Sequence, residues 1–253
     1  MNILILGANG MLGPLVTELL EPDHSLRLSD INDLETDHDY IKVDISSLDQ
    51  VVDAANGMDA IINLSVFRYD INLAFDVNCR GTYNTLVAAK KHGIRRVINT
   101  GPHFAVAGKI YEDLDFMQSP DMPAQPGTNL YALTKSLGHE LCKLFSNTHD
   151  MSVITLLFMV LANPGQIRKS LGSITYLVEW RDAARSIKAA LDIDLNRLDS
   201  PCETFFILDD MPHGVYQNNK AKNILGWSPK HSMENNWHKS SIPYKLDNHP
   251  RPR

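Results

Sequence analysis

A chain of 253 residues, 43% hydrophobic and 21% charged, is long enough to bury a full core and has the balance of a globular domain, not of a disordered or collagen-like chain. A formal net charge of −6 excludes the basic stripe that grips nucleic acid: the densest clusters are Lys90-Lys91 and Arg95-Arg96, and the terminal Arg251-Pro252-Arg253 is short. No apolar run nears the roughly 20 residues of a membrane span, the apolar start is too short for a secretion signal, and Cys79, Cys142 and Cys202 form no Cys-x-x-Cys pair, so a cytoplasmic protein with reduced thiols and neither nucleic-acid nor membrane partners is expected.

Strand and helix patterns alternate from the first residue. Ile3-Leu4-Ile5-Leu6 reads as a strand buried on both faces. The turn Gly7-Ala8-Asn9-Gly10-Met11-Leu12-Gly13 follows, then a helix from about Met11 to Leu20 with Pro14 in its first turn, where a missing N–H is tolerated. Glycines here let the backbone turn tightly and let a pyrophosphate approach the helix N-terminus. A glycine triplet alone is a weak signal; one between a strand and a helix is the context that dinucleotide binding requires. The second strand, Ser25 to Ser29, ends at Asp30. A carboxylate there accepts hydrogen bonds from the adenosine ribose hydroxyls and repels a 2′-phosphate, and Ile31-Asn32-Asp33 offer no arginine to bind one. NAD is therefore the expected cofactor, in preference to NADP.

A third strand, Tyr40 to Val43, ends at Asp44, which is placed to meet the adenine amine with Ile45 beside it. Ser46-Ser47 are expected to cap a helix running to about Ala55. The fourth strand covers Asp59 to Leu64 and delivers Leu64 and Ser65 to the cofactor. A long helix from about Leu73 to Lys91 stops at His92-Gly93. Arg96 to Asn99 is the fifth strand, 101–128 reads as loop, Asn129 to about Asn147 as helix and Ser152 to Leu157 as the sixth strand. Beyond 160 the pattern loosens to a helix near 181–191, a strand at 204–208 and a helix near 218–225. Strands separated by helices imply parallel pairing through right-handed crossovers. The expected fold is α/β, a Rossmann-type doubly wound parallel sheet. Residues 1–160 form the NAD-binding core, and 161–253 a small C-terminal substrate-side cap, a substrate-binding appendage integrated with that core.

Tyr-x-x-x-Lys occurs twice, at Tyr131/Lys135 and at Tyr216/Lys220. The first pair shares one helix face and borders the crevice at the carboxyl ends of the strands, where a nicotinamide lies. The second lies in the appendage and reads as a chance match. Oxidation of a carbinol requires its proton to leave, and a tyrosine near its ordinary pKa of about 10 is a poor base. A neighbouring ammonium favours the phenolate, so Tyr131 is expected to be the base and Lys135 to tune it and bind the nicotinamide ribose.

These residues, with Asn63-Leu64-Ser65, Asn78-x-x-Gly81-Thr82 and Leu225-Gly226-Trp227-x-Pro229, resemble the extended short-chain dehydrogenase/reductase family, also called the NAD-dependent epimerase/dehydratase family, over about residues 1–230. The resemblance implies that Asn78 supports the helix near the active site and joins the cofactor-binding set. Uronate dehydrogenases are the subgroup closest in look. They carry Ser-Ser-Asn-His after the fifth strand, where this chain has Thr100-Gly101-Pro102-His103, so Thr100 is expected to position the substrate oxygen and His103 to touch the substrate, without the second serine. Arg168, after Asn163-Pro164-Gly165, matches the arginine those enzymes use for the sugar carboxylate, and Ser65 is a further substrate contact. His231, His238 and His249 read as solvated, and no metal site is expected. The resemblance implies an NAD-dependent oxidation of a sugar or sugar acid. A nucleotide-sugar epimerase or dehydratase and a non-catalytic NAD-sensing protein are the alternatives. It also implies a homodimer formed through the helices near 73–91 and 129–147.

Overall fold

The structure, a computed structural model, describes residues 1–108, 117–162, 177–210 and 215–231. Strands β1 (Asn2–Leu6), β2 (Ser25–Asp30), β3 (Asp39–Lys42), β4 (Ala60–Asn63), β5 (Arg96–Pro102), β6 (Ser152–Phe158) and β9 (Cys202–Ile207) form one seven-stranded sheet. Its order is β3-β2-β1-β4-β5-β6-β9, and every pairing is parallel. The central strands are apolar without alternation because helices cover both faces. In β1, Ile3 and Ile5 join one core with Val16, Ile62, Ile98 and Ile187, and Leu4 and Leu6 join the other with Ile61, Leu86 and Val97. Helices α1 (Gly13–Leu20) and α7 (Trp180–Asp192) cover the first face. Helices α2 (Leu48–Ala54), α4 (Gly81–His92) and α6 (Leu130–Thr148) cover the second.

Strand order reverses at β1, which has β2 on one side and β4 on the other. The carboxyl ends of β1 and β4 therefore open a crevice. Gly7 leaves β1 with φ 82°, and a Cβ on it would sit 2.9 Å from the Ser65 nitrogen that follows β4. Only glycine lets these two chain segments approach so closely.

Four features depart from the sequence reading. The strand expected in the cap is β9, which pairs with β6 and forms the sheet's edge, and α7 packs on α1, so both complete the core. β5 runs on to Pro102, with Gly101 opposite Leu157 and Pro102 opposite Phe158. Its β4 neighbour ends opposite Asn99, so the missing N–H of Pro102 interrupts no ladder on that side. The long helix is three pieces: α3 (Ile71–Ala74), a π-helical stretch Phe75–Arg80, and α4, which ends at left-handed Gly93 as expected. Finally, the Ser47 side chain makes no cap for α2; the Asp44 carboxylate instead takes the Ser46 N–H at 2.9 Å and its hydroxyl at 2.7 Å. Two short pieces were too brief to read: α5 (Phe104–Ala107) and the parallel pair β7 (Val160–Ala162) and β8 (Leu177–Glu179).

The Leu225-Gly226-Trp227 segment is clasped to the start of α7. Trp227 Nε1 donates to the Asp182 carbonyl at 3.0 Å, and the buried Asp182 carboxylate accepts from the Lys230 and His231 amides and from Arg185. His231 is not simply solvated: its Nδ1 lies 3.2 Å from Asp182 and 3.3 Å from Glu179. Those carboxylates already receive N–H donors, including the Arg181 and Asp182 amides on Glu179, and that is poor company for a cation. His238 and His249 lie outside the described residues. Among the described residues no helix is long and apolar enough to cross a membrane.

Candidate active site

A cleft of about 410 Å³ opens at the carboxyl ends of the strands. Its wall includes Gly7, Gly10, Met11 and Leu12 from the first turn, Leu64 from the end of β4, Thr100 and His103 from β5 and just beyond, and Tyr131 and Lys135 from α6. Groups up to 128 residues apart in sequence thus meet around one space. Val66, Phe104, Phe158, Met159, Val160 and Leu161 supply apolar lining, and Arg68 a charge.

The glycine turn is shaped for close approach. A Cβ at Gly13 would lie 1.9 Å from the Ala8 carbonyl oxygen, so α1 begins hard against the turn. The amides of Gly7 and Ala8 both bond the Ser29 carbonyl, which ties the turn to β2. Asp30 strengthens that tie: one carboxylate oxygen accepts the Asn9 N–H at 3.1 Å and the other the Asn32 N–H at 3.0 Å. The turn and the presumed ribose acceptor of the sequence reading are thus one unit. Asp44 spends one oxygen on Ser46, and Ile45 is buried, its side chain filling the space over Gly81. Asn9, Gly13, Asp30, Asp44 and Ile45 lie outside the cleft wall itself.

Asn78 has a supporting role. Its carboxamide brackets Phe67, accepting that residue's N–H at 3.0 Å and donating to its carbonyl at 2.6 Å, and also donates to Thr134 Oγ1 at 3.0 Å. Fully buried and so engaged, it holds the loop after β4 against α6 and does not reach the cofactor space. The wide π-helical turn that carries it lies next to the site, a common placement for such turns.

Asn129 caps α6 by accepting the Ala132 N–H at 3.0 Å, which fixes the first turn that carries Tyr131. The Lys135 ammonium donates to the carbonyls of Ser65 at 2.9 Å and Thr100 at 3.0 Å. Burial brings its pKa down to about 8, and the charge of Arg68 acts in the same direction. Burial pushes the Tyr131 phenol above its ordinary range, and the charge of Arg68 opposes that rise. The Arg68 guanidinium carbon stands 5.0 Å from the Tyr131 ring centroid. Sequence reasoning missed Arg68 because the 66–72 loop carries no motif or periodicity.

Thr100 lines the cleft, but its hydroxyl donates to the Asn63 carbonyl at 2.8 Å, so toward a ligand it offers lone pairs and no proton. Burial lowers the His103 pKa to about 4, which keeps the ring neutral. That ring packs edge-on against Phe104 and Tyr216, each 5.1 Å away. Tyr216 is accordingly a buried support behind the cleft, and Lys220 pairs with Glu203 at 2.6 Å; neither joins the site. Ser65 sits behind Lys135, with its N–H on Asn63 and its carbonyl on the ammonium. Arg168 lies outside the described residues.

The model of the NAD-dependent epimerase/dehydratase family matches residues 3–180. This chain belongs to that family. The family is one of NAD-dependent enzymes of the extended short-chain dehydrogenase/reductase type, and the glycine turn with its close-approach positions fits that cofactor. Among curated relatives of this family member, a uronate dehydrogenase of Pseudomonas syringae pv. tomato is 28% identical over 163 residues, 61% of this chain and 58% of that protein, so the match spans little more than half the relative's length. The uncharacterised protein YtbQ of Bacillus subtilis is 24% identical over 90% of this chain and 94% of its own. The crystal structure of glucuronic acid dehydrogenase from Chromohalobacter salexigens superposes with a TM-score of 0.78 at 22% identity, over 96% of this chain and 91% of that one, and shows the same fold.

Proposed function

We propose that this protein is an NAD-dependent dehydrogenase of a free sugar or sugar acid, similar in action to uronate dehydrogenases. The observation that carries the reading is the single cleft that holds the glycine turn, Thr100, Tyr131 and Lys135 together. NAD, when bound, supplies the acceptor for the hydride. Tyr131, as phenolate, takes the proton of the substrate hydroxyl as the carbinol becomes a carbonyl, for which NAD would be the hydride acceptor. Lys135 holds the nicotinamide ribose from the position its two carbonyl bonds define. The Thr100 hydroxyl, its own hydrogen engaged by the Asn63 carbonyl, accepts from a neighbouring substrate hydroxyl and so leaves the reacting one to Tyr131. Phe158, Met159 and Leu161 exclude water. Arg168 and neutral His103 complete the substrate side in this reading, and residues 161–253 contribute that side of the cleft.

Incubation with NAD and a panel of sugars and sugar acids tests the proposal by NADH formation. Net NADH with at least one of them is expected, and Tyr131→Phe is expected to lower kcat by roughly 10²- to 10⁴-fold, the usual worth of a positioned proton acceptor. Full activity in that variant would remove Tyr131 from its role. A nucleotide-sugar epimerase or dehydratase would show conversion without net NADH, and a sensor no turnover at all. We also infer that the protein is a homodimer, joined through the layer of α3, α4 and α6. There Ile71, Tyr83 and Leu144 are exposed apolar side chains.

A further inference from the structure

We propose that Arg68 is a specificity-determining residue of this cleft, taking a share in the role that the resemblance gives to Arg168: it receives the carboxylate of an anionic sugar and sets the reacting hydroxyl against Tyr131. The inference rests on the dehydrogenase reading and deepens it by assigning the charge the substrate must carry.

The electrostatics of the wall come first. Two cations, Arg68 and Lys135, line the cleft, and among the described residues no carboxylate does. His103 stays neutral and adds no charge. The Lys135 ammonium is committed to two backbone carbonyls and lies deep, under the cofactor's end of the space. Arg68 is differently placed. It stands exposed at the cleft mouth, with its guanidinium over the Tyr131 ring. A guanidinium carries five N–H donors in a planar fork, more than one ring contact can use. A planar carboxylate matches two such N–H groups at once.

Position comes next. Phe67, the residue before Arg68, has both its N–H and its carbonyl held by the Asn78 carboxamide, and the same carboxamide bonds Thr134 on α6. Thr134 is one turn along from Tyr131 and returns a hydrogen bond to its carbonyl at 3.3 Å. One buried asparagine therefore fixes both the loop that carries Arg68 and the helix that carries Tyr131. The distance between anion receptor and proton acceptor is set by the fold, as selection by charge and shape requires.

The test compares glucuronate with glucose, and galacturonate with galactose, for the wild type, Arg68→Lys and Arg68→Met, using kcat and KM from NADH formation. Thermal unfolding establishes that the variants are folded. The wild type is expected to favour the acid. In Arg68→Met the KM for the acid should rise at least tenfold, the acid-to-neutral ratio of kcat/KM should fall at least tenfold, and the decline of acid kcat/KM with added salt should disappear. Arg68→Lys should recover part of the ratio. A ratio unchanged in Arg68→Met overturns the inference while leaving the dehydrogenase standing. If the wild type oxidises no sugar of either kind, the dehydrogenase reading fails, and calorimetric titration of glucuronate into the NADH-loaded protein decides Arg68 independently. A Kd at least tenfold weaker in Arg68→Met supports it; equal Kd values, or no glucuronate binding to the wild type, overturn it. Glucose 6-phosphate serves as a competitor: binding that depends on Arg68 for the phosphate and not for glucuronate overturns the carboxylate assignment.

Discussion

Asp30 shows how one side chain serves two ends. One carboxylate oxygen holds the Asn9 amide at 3.1 Å, so it braces the glycine turn in addition to the ribose contact proposed for it. A hydrogen bond to a charged group is worth about 1.5–3 kcal/mol, or roughly tenfold or more in affinity. Asp30→Ala is therefore expected to weaken NAD binding about tenfold and, by removing the repulsion of a 2′-phosphate, to narrow the preference over NADP further still. Titration of both cofactors by fluorescence measures this; an unchanged preference would show that another group discriminates. At the same scale the Tyr131 phenol teaches a limit. Its spacing to Lys135 was plain from sequence, but the cation that acts on it, Arg68, comes from a loop after β4 and is brought there by the turn of the chain.

Between elements, α6 and β9 meet at a buried polar contact, His139 Nε2 to Thr204 Oγ1 at 2.8 Å. Burial lowers the His139 pKa from 6.5 to about 4. Between those values the unfolded chain binds a proton that the folded chain refuses. Stability is accordingly full above about pH 6.5 and drains as pH falls toward about 4. His103 is shifted the same way, by burial, and adds to the slope. Each contributes up to about 1.4 kcal/mol per pH unit across that window. Urea midpoints measured from pH 7 to 4 should fall steadily, and His139→Gln should flatten the fall by about one proton's worth. An identical slope in that variant would refute the assignment. Neither the partner nor the burial of His139 is visible from its own segment, because Thr204 lies in a strand whose local pattern places it in the small substrate-side cap and not at the edge of the main sheet.

For the molecule as a whole, one face remains apolar. Leu137, Leu141 and Leu144 recur at helical spacing on α6, with Leu137 and Leu144 exposed. Leu141 joins Phe75, Cys79 and Tyr83 around a second hollow of about 350 Å³. Ile71 is 60% exposed and Leu144 56%. Exposed apolar side chains on the layer of α3, α4 and α6 are what the proposed twofold contact would cover. Sedimentation velocity at tens of micromolar should show a dimer, and Ile71→Asp with Leu144→Asp should yield a folded monomer. A monomeric wild type would exclude the proposed assembly.

The sequence by itself determined the sheet and its ligand. A strand-glycine-helix opening, an acidic end to β2 and alternation along the first 160 residues are local signals, because buried parallel strands and helix periods are written in contiguous residues. The pair Tyr131 and Lys135 was legible for the same reason, one helix turn apart. The extension of β5 through Gly101 and Pro102 was not, since breaker residues are tolerated where only one neighbour pairs. Tertiary structure alone placed β9 at the edge of the main sheet and turned the Lys135 ammonium onto two carbonyls. It also used Asn78 to lock the Arg68 loop to the tyrosine helix. The first two are contacts between residues distant in sequence formed through backbone groups that every residue shares, which leave no trace in side-chain pattern; Asn78's support of the helix was implied by the resemblance, and only its partners, Phe67 and Thr134, had to come from the fold.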